Sequence, residues 1–176
     1  MRRFSSRIKR LKPSPTLSIA EKARQLIARG EKIVRLDIGE PAFDTPDHIK
    51  EAALKAIKSG YTHYTSSRGI PELREAIAEY YLKNFKVDVD AKSEVIVTPG
   101  SKFAVFAAIQ SLVDSGDEVI ILTPAWPTYW SCVELAEGRV VEVSCGDGFS
   151  LDEERLKESI SNKSKVILVN SPNNPT

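Results

Sequence analysis

The sequence predicts an α/β protein in which a mostly parallel β-sheet lies between two layers of helices. Two observations indicate this three-layer class. Segments with the helical spacing of apolar residues alternate with short β-branched runs along the chain. Those runs are also continuously apolar, which is typical of strands that are buried on both faces of a parallel sheet.

Three helices are predicted in the first half of the chain. The first covers residues 18–29 and stops at Gly30. The second starts with Pro46 in its first turn and ends at Gly60, and the third covers residues 71–85.

Four strands are predicted from residue 94 onward, with helices as the connections between them. The strand-like runs are residues 94–98, 118–122, 140–143 and 166–170. The connecting helices are residues 101–114, 126–136 and 151–159.

The composition excludes few classes of function. The chain has 176 residues, 41% of them hydrophobic, and a formal net charge of +1, so nothing favours nucleic-acid binding. No apolar run reaches the length of a membrane span, and the expected compartment is the cytoplasm. Cys132 and Cys145 are too few for a disulfide framework and lack metal-ligand spacing, so we interpret them as reduced thiols.

The first twelve residues are strongly basic, and no acidic residue precedes Glu21. Such a composition resembles an organelle transit peptide. A basic arm on the protein surface is the interpretation we favour, because no apolar signal core or cleavage-like stretch follows.

Polar or aromatic clusters follow three of the predicted strands. They are Pro99-Gly100-Ser101-Lys102, Pro124-Ala125-Trp126-Pro127 and Ser171-Pro172-Asn173-Asn174-Pro175-Thr176. Open α/β sheets bind ligands in the crevice at the carboxyl ends of their strands. We therefore expect one pocket to collect all three clusters.

The Gly100-Ser101-Lys102 cluster stands at a strand-to-helix junction. The N–H groups and the positive dipole end of a helix start favour a phosphate, and Gly100 allows close backbone approach. A tight turn is an equally simple interpretation of the glycine. The cluster is neither a GxxxxGK[ST] nor a GxGxxG motif.

Trp126 and Asn174 are the other candidate ligand-binding residues. Trp126 lies between two prolines, which restrict the backbone and so suit a ring that stacks on a planar ligand. Burial for packing is the alternative, because large aromatic residues are mostly buried. Asn174 offers an amide donor to an anionic oxygen, although Asn174-Pro175 is also a simple turn signal.

In combination these motifs resemble those of class I aminotransferases, a fold-type-I family that uses pyridoxal phosphate. The matching segments are Asp37-Ile38-Gly39-Glu40-Pro41, Tyr61-Thr62-His63-Tyr64, Gly69-Ile70-Pro71-Glu72-Leu73-Arg74, Thr98-Pro99-Gly100-Ser101-Lys102, Gly116-Asp117-Glu118-Val119, Pro124-Ala125-Trp126-Pro127 and residues 171–176. The resemblance covers nearly the whole chain, in the family's order and spacing.

The resemblance implies a role for each candidate residue. Gly100, Ser101 and Lys102 correspond to the family's phosphate-binding residues. Trp126 resembles the aromatic residue that stacks on the pyridine ring, and Asn174 the asparagine that binds the ring's phenolic oxygen beside the substrate. Both are therefore expected to bind cofactor and substrate.

Two more roles and a domain division follow from the resemblance. Gly39 is similar to the glycine whose backbone lies beside the substrate, and Tyr64 to the tyrosine that reaches the phosphate of the neighbouring subunit, which implies a homodimer. Residues 1–45 correspond to the N-terminal arm and helix of the small domain or dimer contact. Residues 46–176 correspond to the first part of the cofactor-binding large domain.

The activity implied is transfer of an amino group between an amino acid and a 2-oxo acid. In the family the Schiff-base lysine lies beyond the position of Thr176, so we expect this segment alone to be inactive. We also expect it to fold poorly, with four of about seven strands. Two alternatives stay open: a related lyase or synthase, and a truncated non-catalytic anion-binding domain.

The resemblance to bacterial and archaeal aspartate aminotransferases extends through residues 12–16 and implies acidic substrates. Lys102 with Ser14 and Thr16 would receive a distal carboxylate through charge-assisted hydrogen bonds. A plain cap or turn is the alternative role for Ser14 and Thr16.

Overall fold

The computed structural model describes residues 4–11, 13 and 15–176, and the chain divides into two compact units. The sheet unit comprises the chain up to Ile33 together with Gly100–Thr176, and the helical unit comprises Val34–Pro99. In chain order the elements are α1 (Ser6–Arg10), α2 (Pro15–Ala28), α3 (Asp47–Lys58), α4 (Pro71–Phe85), α5 (Ser101–Leu112), β1 (Glu118–Thr123), α6 (Thr128–Leu135), β2 (Arg139–Ser144), α7 (Glu153–Ser159) and β3 (Ser164–Leu168).

The sheet is parallel and has the strand order β2-β1-β3. Glu118 of β1 lies opposite Arg139 of β2 and Ser164 of β3, so the three strands start at one edge and end together at the other. The α6 helix connects β1 to β2, and α7 connects β2 to β3. The predicted α/β class with a parallel sheet is confirmed.

The core is built around β1. Val119 and Ile121 point to one face, where they pack with residues of α5 and α6, among them Ile109 and Val133. Ile120, which points to the opposite face because strand side chains alternate, is also fully buried. Both faces of the central strand are therefore covered, as expected of a strand in a three-layer arrangement.

The predicted strand at residues 94–98 was wrong. Within the described part of the chain this segment pairs with no strand, and the N–H of Val97 instead donates to the carbonyl oxygen of Arg68 (2.9 Å). A β-branched run indicates side chains that suit burial, and Val95 is indeed buried. It does not indicate whether a neighbouring strand is present to pair with. The described sheet accordingly has three strands instead of four.

The predicted helices are confirmed with small shifts at their ends. The α3 helix ends before Gly60, which adopts a positive φ of 82°, and α4 has Pro71 as its first residue. The α2 helix starts at Pro15, earlier than predicted, because proline fits a first turn. The α6 helix starts at Thr128, so Trp126 lies just before it.

The basic N-terminal residues that the structure describes lie on the surface. Residues 4–10 are exposed and include the short helix α1, in which Arg10 forms an ion pair with Glu137 (3.0 Å). In residues 4–11, 13 and 15–176, no helix combines the length and the apolar character needed to cross a membrane.

Candidate functional site

The loops that follow β1 and β3 meet at the carboxyl edge of the sheet. Neighbouring parallel strands end at the same edge, which brings residues 124–127 close to residues 169–176. The side-chain amide of Asn173 donates a hydrogen bond to the carbonyl oxygen of Pro124 (2.8 Å) and another to the hydroxyl of Thr176 (2.8 Å). Two of the three predicted clusters are thus in direct contact.

The third cluster forms the start of α5. Gly100 precedes the helix with a φ of 91°, a conformation that residues with a side chain rarely adopt. A methyl group added at its Cα would meet no described residue within 4 Å, so the space beside this turn is open in the described structure. The first turn of the helix carries no acidic residue, and Gly100, Ser101 and Lys102 are all exposed. The sequence-based expectation of a helix start here is confirmed.

Lys102 and Trp126 connect this helix start to the loop after β1. The ammonium group of Lys102 lies over the indole of Trp126, 5.2 Å from the ring centroid, within the range of a cation–π interaction. Trp126 is only partly buried, and it packs against the core cluster that contains Tyr129 and Val133. A positive charge and an aromatic surface therefore stand side by side at the edge of the sheet.

Trp126 also has an aromatic neighbour that the sequence reasoning missed. The rings of Tyr129 and Trp126 form a T-shaped pair, with ring centroids 5.6 Å apart and an interplanar angle of 88°. The N–H of Tyr129 donates to the carbonyl oxygen of Trp126 (3.1 Å). The three-residue separation at a helix start was the available signal, because residues i and i+3 lie on one helix face.

A cavity of about 450 Å³ opens beside Lys102 and Trp126. Its walls include Thr16, Leu17, Lys102, Trp126, Trp130 and Glu134. Three of the residues predicted to bind cofactor or substrate line this cavity: Thr16, Lys102 and Trp126. Three others do not line it: Gly100, Ser101 and Asn174. Ser14 lies outside the described residues.

Asn174 is exposed in the loop after β3. When the amide of Asn170 is oriented with its oxygen toward nearby donors, it accepts hydrogen bonds from the N–H of Asn174 (3.1 Å) and from the hydroxyl of Tyr129 (3.3 Å). The same orientation lets the amide nitrogen donate to the carbonyl oxygen of Pro172 (3.3 Å). Asn174 is thereby linked through one side chain to the ring that contacts Trp126.

The remaining two predicted site residues belong to the helical unit. Gly39 is exposed there, and the side chain of Tyr64 is fully exposed. Arg35 and Asp37, which precede Gly39, form a two-pronged ion pair with distances of 2.9 and 2.7 Å. The hydrogen bonds to Asp37 raise the pKa of Arg35 above its already high ordinary value, so Arg35 stays charged.

Beneath the site, Cys132 of α6 is buried in the core and its thiol is free. Burial raises the pKa of the Cys132 thiol, and the positive charge of Lys102 opposes that shift. The side-chain amide of Gln110 in α5 donates to the carbonyl oxygen of Cys132 (3.1 Å). This bond joins the helix that begins at Ser101 to the helix that follows Trp126.

Comparison with known proteins identifies one family. The model of the family aminotransferase class I and II matches residues 31–176. The aspartate/prephenate aminotransferase of Thermus thermophilus is 46% identical over 178 residues, which cover 100% of this chain and 46% of that protein. A protein described as a probable aspartate aminotransferase of Methanocaldococcus jannaschii is 44% identical, over 98% of this chain and 44% of its own length.

Solved structures give the same result. The aspartate aminotransferase from Thermus thermophilus with maleate superposes with a TM-score of 0.95 at 45% identity, covering 100% of this chain and 46% of that one. The alanine aminotransferase from Pyrococcus furiosus gives a TM-score of 0.91 at 35% identity, with coverages of 99% and 45%. This chain spans less than half the length of the relatives it matches.

Proposed function

Because this chain belongs to the class I and II aminotransferase family, we propose that it is the N-terminal portion of a pyridoxal-phosphate-dependent aminotransferase. The complete enzyme transfers an amino group between an amino acid and a 2-oxo acid. The observation that carries this proposal is the position of Lys102 over the indole of Trp126, 5.2 Å from its centroid. A helix start suited to a phosphate and an aromatic surface suited to a planar ring are thereby adjacent.

The start of α5 holds the cofactor phosphate. The first N–H groups of a helix have no partner within the helix and, together with the helix dipole, attract an anion. Gly100 leaves open space at this point, and no carboxylate in the first turn repels a phosphate. The Ser101 hydroxyl and the Lys102 ammonium add a donor and a positive charge. These residues therefore fit a phosphorylated ligand.

Trp126 stacks on the pyridine ring. Its partial exposure leaves aromatic surface for a ligand, and Tyr129 holds it from the side. Asn174, exposed in the adjoining loop, donates from its amide to the phenolic oxygen of the ring. When bound, the cofactor supplies an electron sink for the negative charge that develops on the substrate. The residues of this chain bind and orient the ring.

The lysine that carries the cofactor is placed beyond Thr176 in this proposal. Such a lysine needs a lowered pKa and a position beside the reacting carbon. Lys102 is assigned instead to the pocket that it shares with Thr16 and Trp126. The segment without that further lysine is expected to be inactive.

The substrate proposed is an acidic amino acid. Lys102 and Thr16 line the cavity of about 450 Å³ beside Trp126, and an ammonium with a hydroxyl suits a distal carboxylate. The name of the Thermus thermophilus relative includes aspartate, and one of its solved structures contains maleate, a dicarboxylate. The alanine aminotransferase neighbour shows that the fold by itself does not select acidic substrates.

The assembly proposed is a homodimer in which Tyr64 reaches the phosphate of the neighbouring subunit and the backbone of Gly39 lies beside the substrate. The complete exposure of Tyr64 supports this role, since its phenol is accessible to a partner. The assignment of residues 1–45 to the arm and of residues 46–176 to the large domain refers to the complete enzyme and belongs to the same proposal.

The test is chemical labelling of the full-length protein that contains this chain. The protein is saturated with pyridoxal phosphate, reduced with borohydride and digested, and the labelled peptide is identified by mass spectrometry. We expect one labelled lysine, located beyond Thr176. A labelled Lys102, or no labelled lysine, would contradict the proposal.

A second assay identifies the reaction. The protein is incubated with ¹⁵N-aspartate and 2-oxoglutarate, and the products are analysed by mass spectrometry. An aminotransferase yields ¹⁵N-glutamate and oxaloacetate in equal amounts. Release of free ¹⁵N-ammonia, or of ¹⁵N-alanine formed by loss of a carboxyl group from aspartate, would indicate a lyase instead.

A further inference from the structure

Tyr129 lies where it can fix the indole of Trp126. Trp126 occupies the turn before α6, and Tyr129 lies in the first turn of that helix. Their rings meet at 88° with centroids 5.6 Å apart, an edge-to-face geometry that aromatic quadrupoles prefer over direct stacking. The hydrogen bond from the N–H of Tyr129 to the carbonyl oxygen of Trp126 fixes the backbone of both residues.

Tyr129 is itself held rigidly. Tyr129 is 7% exposed and belongs to the core cluster with Ile109 of α5, Val113 just after that helix, and Val119 of β1. The hydrogen bond from Gln110 to the carbonyl oxygen of Cys132 joins α5 and α6 one turn further on. Close-packed side chains of this kind rarely change position. Tyr129 therefore presents a fixed ring to its neighbour.

Trp126 is less buried than Tyr129. It packs against the core cluster to which Tyr129 belongs, but it is only partly buried, and Lys102, which lies over its ring, is a long exposed side chain. An aromatic side chain that must stack on a ligand loses affinity when it can also occupy other orientations, because binding then costs side-chain ordering. Contact with a buried ring removes that cost before the ligand arrives.

We propose that Tyr129 is a positioning residue that holds the indole of Trp126 in the orientation required for stacking on the cofactor ring. This inference rests on the proposed function. It assigns Tyr129 no contact with the cofactor, so the effect of its ring on binding passes through Trp126. The aromatic ring, and not the hydroxyl, carries this role, because the hydroxyl is directed to Asn170.

The test measures the dissociation constant of pyridoxal phosphate from the full-length apoenzyme by absorbance titration. Tyr129→Leu removes the edge-to-face contact and is expected to weaken binding by about threefold to tenfold, the range that such ring pairs contribute. Tyr129→Phe keeps the ring and is expected to stay within about twofold of the wild type. If Tyr129→Phe weakens binding as much as Tyr129→Leu, the ring does not carry the role.

A double-mutant cycle separates positioning from general stabilisation. In a Trp126→Ala background, Tyr129→Leu is expected to cause no further weakening, because the residue through which it acts is gone. Equal weakening in both backgrounds would overturn the inference. If Tyr129→Leu unfolds the protein, Tyr129→Met, a flexible side chain of similar volume, is used in the same cycle.

The two proposals fail differently in this experiment. If the wild-type apoenzyme shows no saturable binding, the proposed function is wrong and the inference falls with it. If the wild type binds the cofactor and Trp126→Ala weakens binding, but the cycle is additive, only the role of Tyr129 is wrong.

Discussion

Glu118 and Arg139 form an ion pair between the first residue of β1 and the first residue of β2. Glu118 is only 3% exposed, and its second carboxylate oxygen accepts a hydrogen bond from the Ser161 hydroxyl (2.8 Å), just before β3. One buried carboxylate thus joins the beginnings of all three strands. It lies at the edge of the sheet opposite the site, so its contribution is structural.

The ion pair makes the stability of the protein dependent on pH. Hydrogen bonds from Arg139 and then Ser161 hold the pKa of Glu118 below its ordinary value. A lowered pKa in the folded state gives stability that is present above the ordinary pKa and is lost as the pH falls through the folded-state pKa. We expect Glu118→Gln to lower the thermal midpoint at neutral pH and to converge with the wild type in acid.

The matched control for this prediction is Glu51→Gln, which changes an exposed carboxylate on α3. Thermal midpoints of the full-length variants are measured from neutral pH down to about pH 3, below the reference pKa of a glutamate. A difference between wild type and Glu118→Gln that stays constant over this range would contradict the assignment.

Gly69 allows a close approach that no other residue would permit. Its φ is 92°, and a methyl group at its Cα would lie 2.7 Å from Cβ and 2.8 Å from Cγ2 of Val97. We expect Gly69→Ala to destabilise the protein by about 1 to 3 kcal/mol through backbone strain and the steric clash. Urea unfolding of the full-length protein measures this change.

Gly60→Ala is the control that separates the two causes. Gly60 has a similar φ of 82°, but nothing lies within 4 Å of an added methyl group. Gly60→Ala should therefore show the cost of strain alone, and Gly69→Ala should be clearly worse. Equal destabilisation would mean that the contact with Val97 relaxes without cost.

Lys102 is expected to select acidic substrates in the complete enzyme. Lys102→Gln removes the charge, and we expect the KM for aspartate to rise by about tenfold or more, as for loss of a charge-assisted hydrogen bond. Lys102→Arg keeps the charge and should retain part of the affinity. The KM for alanine, which has no distal carboxylate, is the internal control. A similar increase for both amino acids would place Lys102 at the phosphate alone.

Cys132 is expected to resist alkylation. Burial raises the pKa of its thiol, so the reactive thiolate is a smaller fraction at any pH, and its surroundings exclude the reagent. Peptide-resolved mass spectrometry after iodoacetamide treatment should show Cys145, which is partly exposed, reacting at least about tenfold faster. Comparable rates in the native protein would show that α6 opens readily.

The sequence predicted the elements of the sheet unit well because their patterns are local. Apolar runs marked β1, β2 and β3, and Gly100 marked the start of α5. Residues 94–98 have the same local pattern, but the described part of the chain holds no partner strand for them, and no local pattern shows whether a partner is present.

Part of the site could also be predicted from local sequence patterns. Trp126 and Asn174 could be found as residues that follow strands, because parallel strands end at one edge. Gly100 and Lys102 could be found because a glycine marks the start of a helix there. Tyr129 reads as an ordinary core aromatic, and its relation to Trp126 depends on side-chain orientation. Nothing in the sequence singles out Asn173 beside Asn174, although it is Asn173 that contacts Pro124.

The hydrogen bond between Asn173 and Pro124 spans 49 residues of sequence. During synthesis, Gly100, Trp126 and Tyr129 emerge from the ribosome before β3 and the loop that follows it. The nascent chain therefore contains the aromatic half of the proposed pocket before its amide half. Under the proposed function, we expect affinity for a phosphorylated ring only after β3 has paired with β1, so that cofactor binding would be a late step in the maturation of the protein.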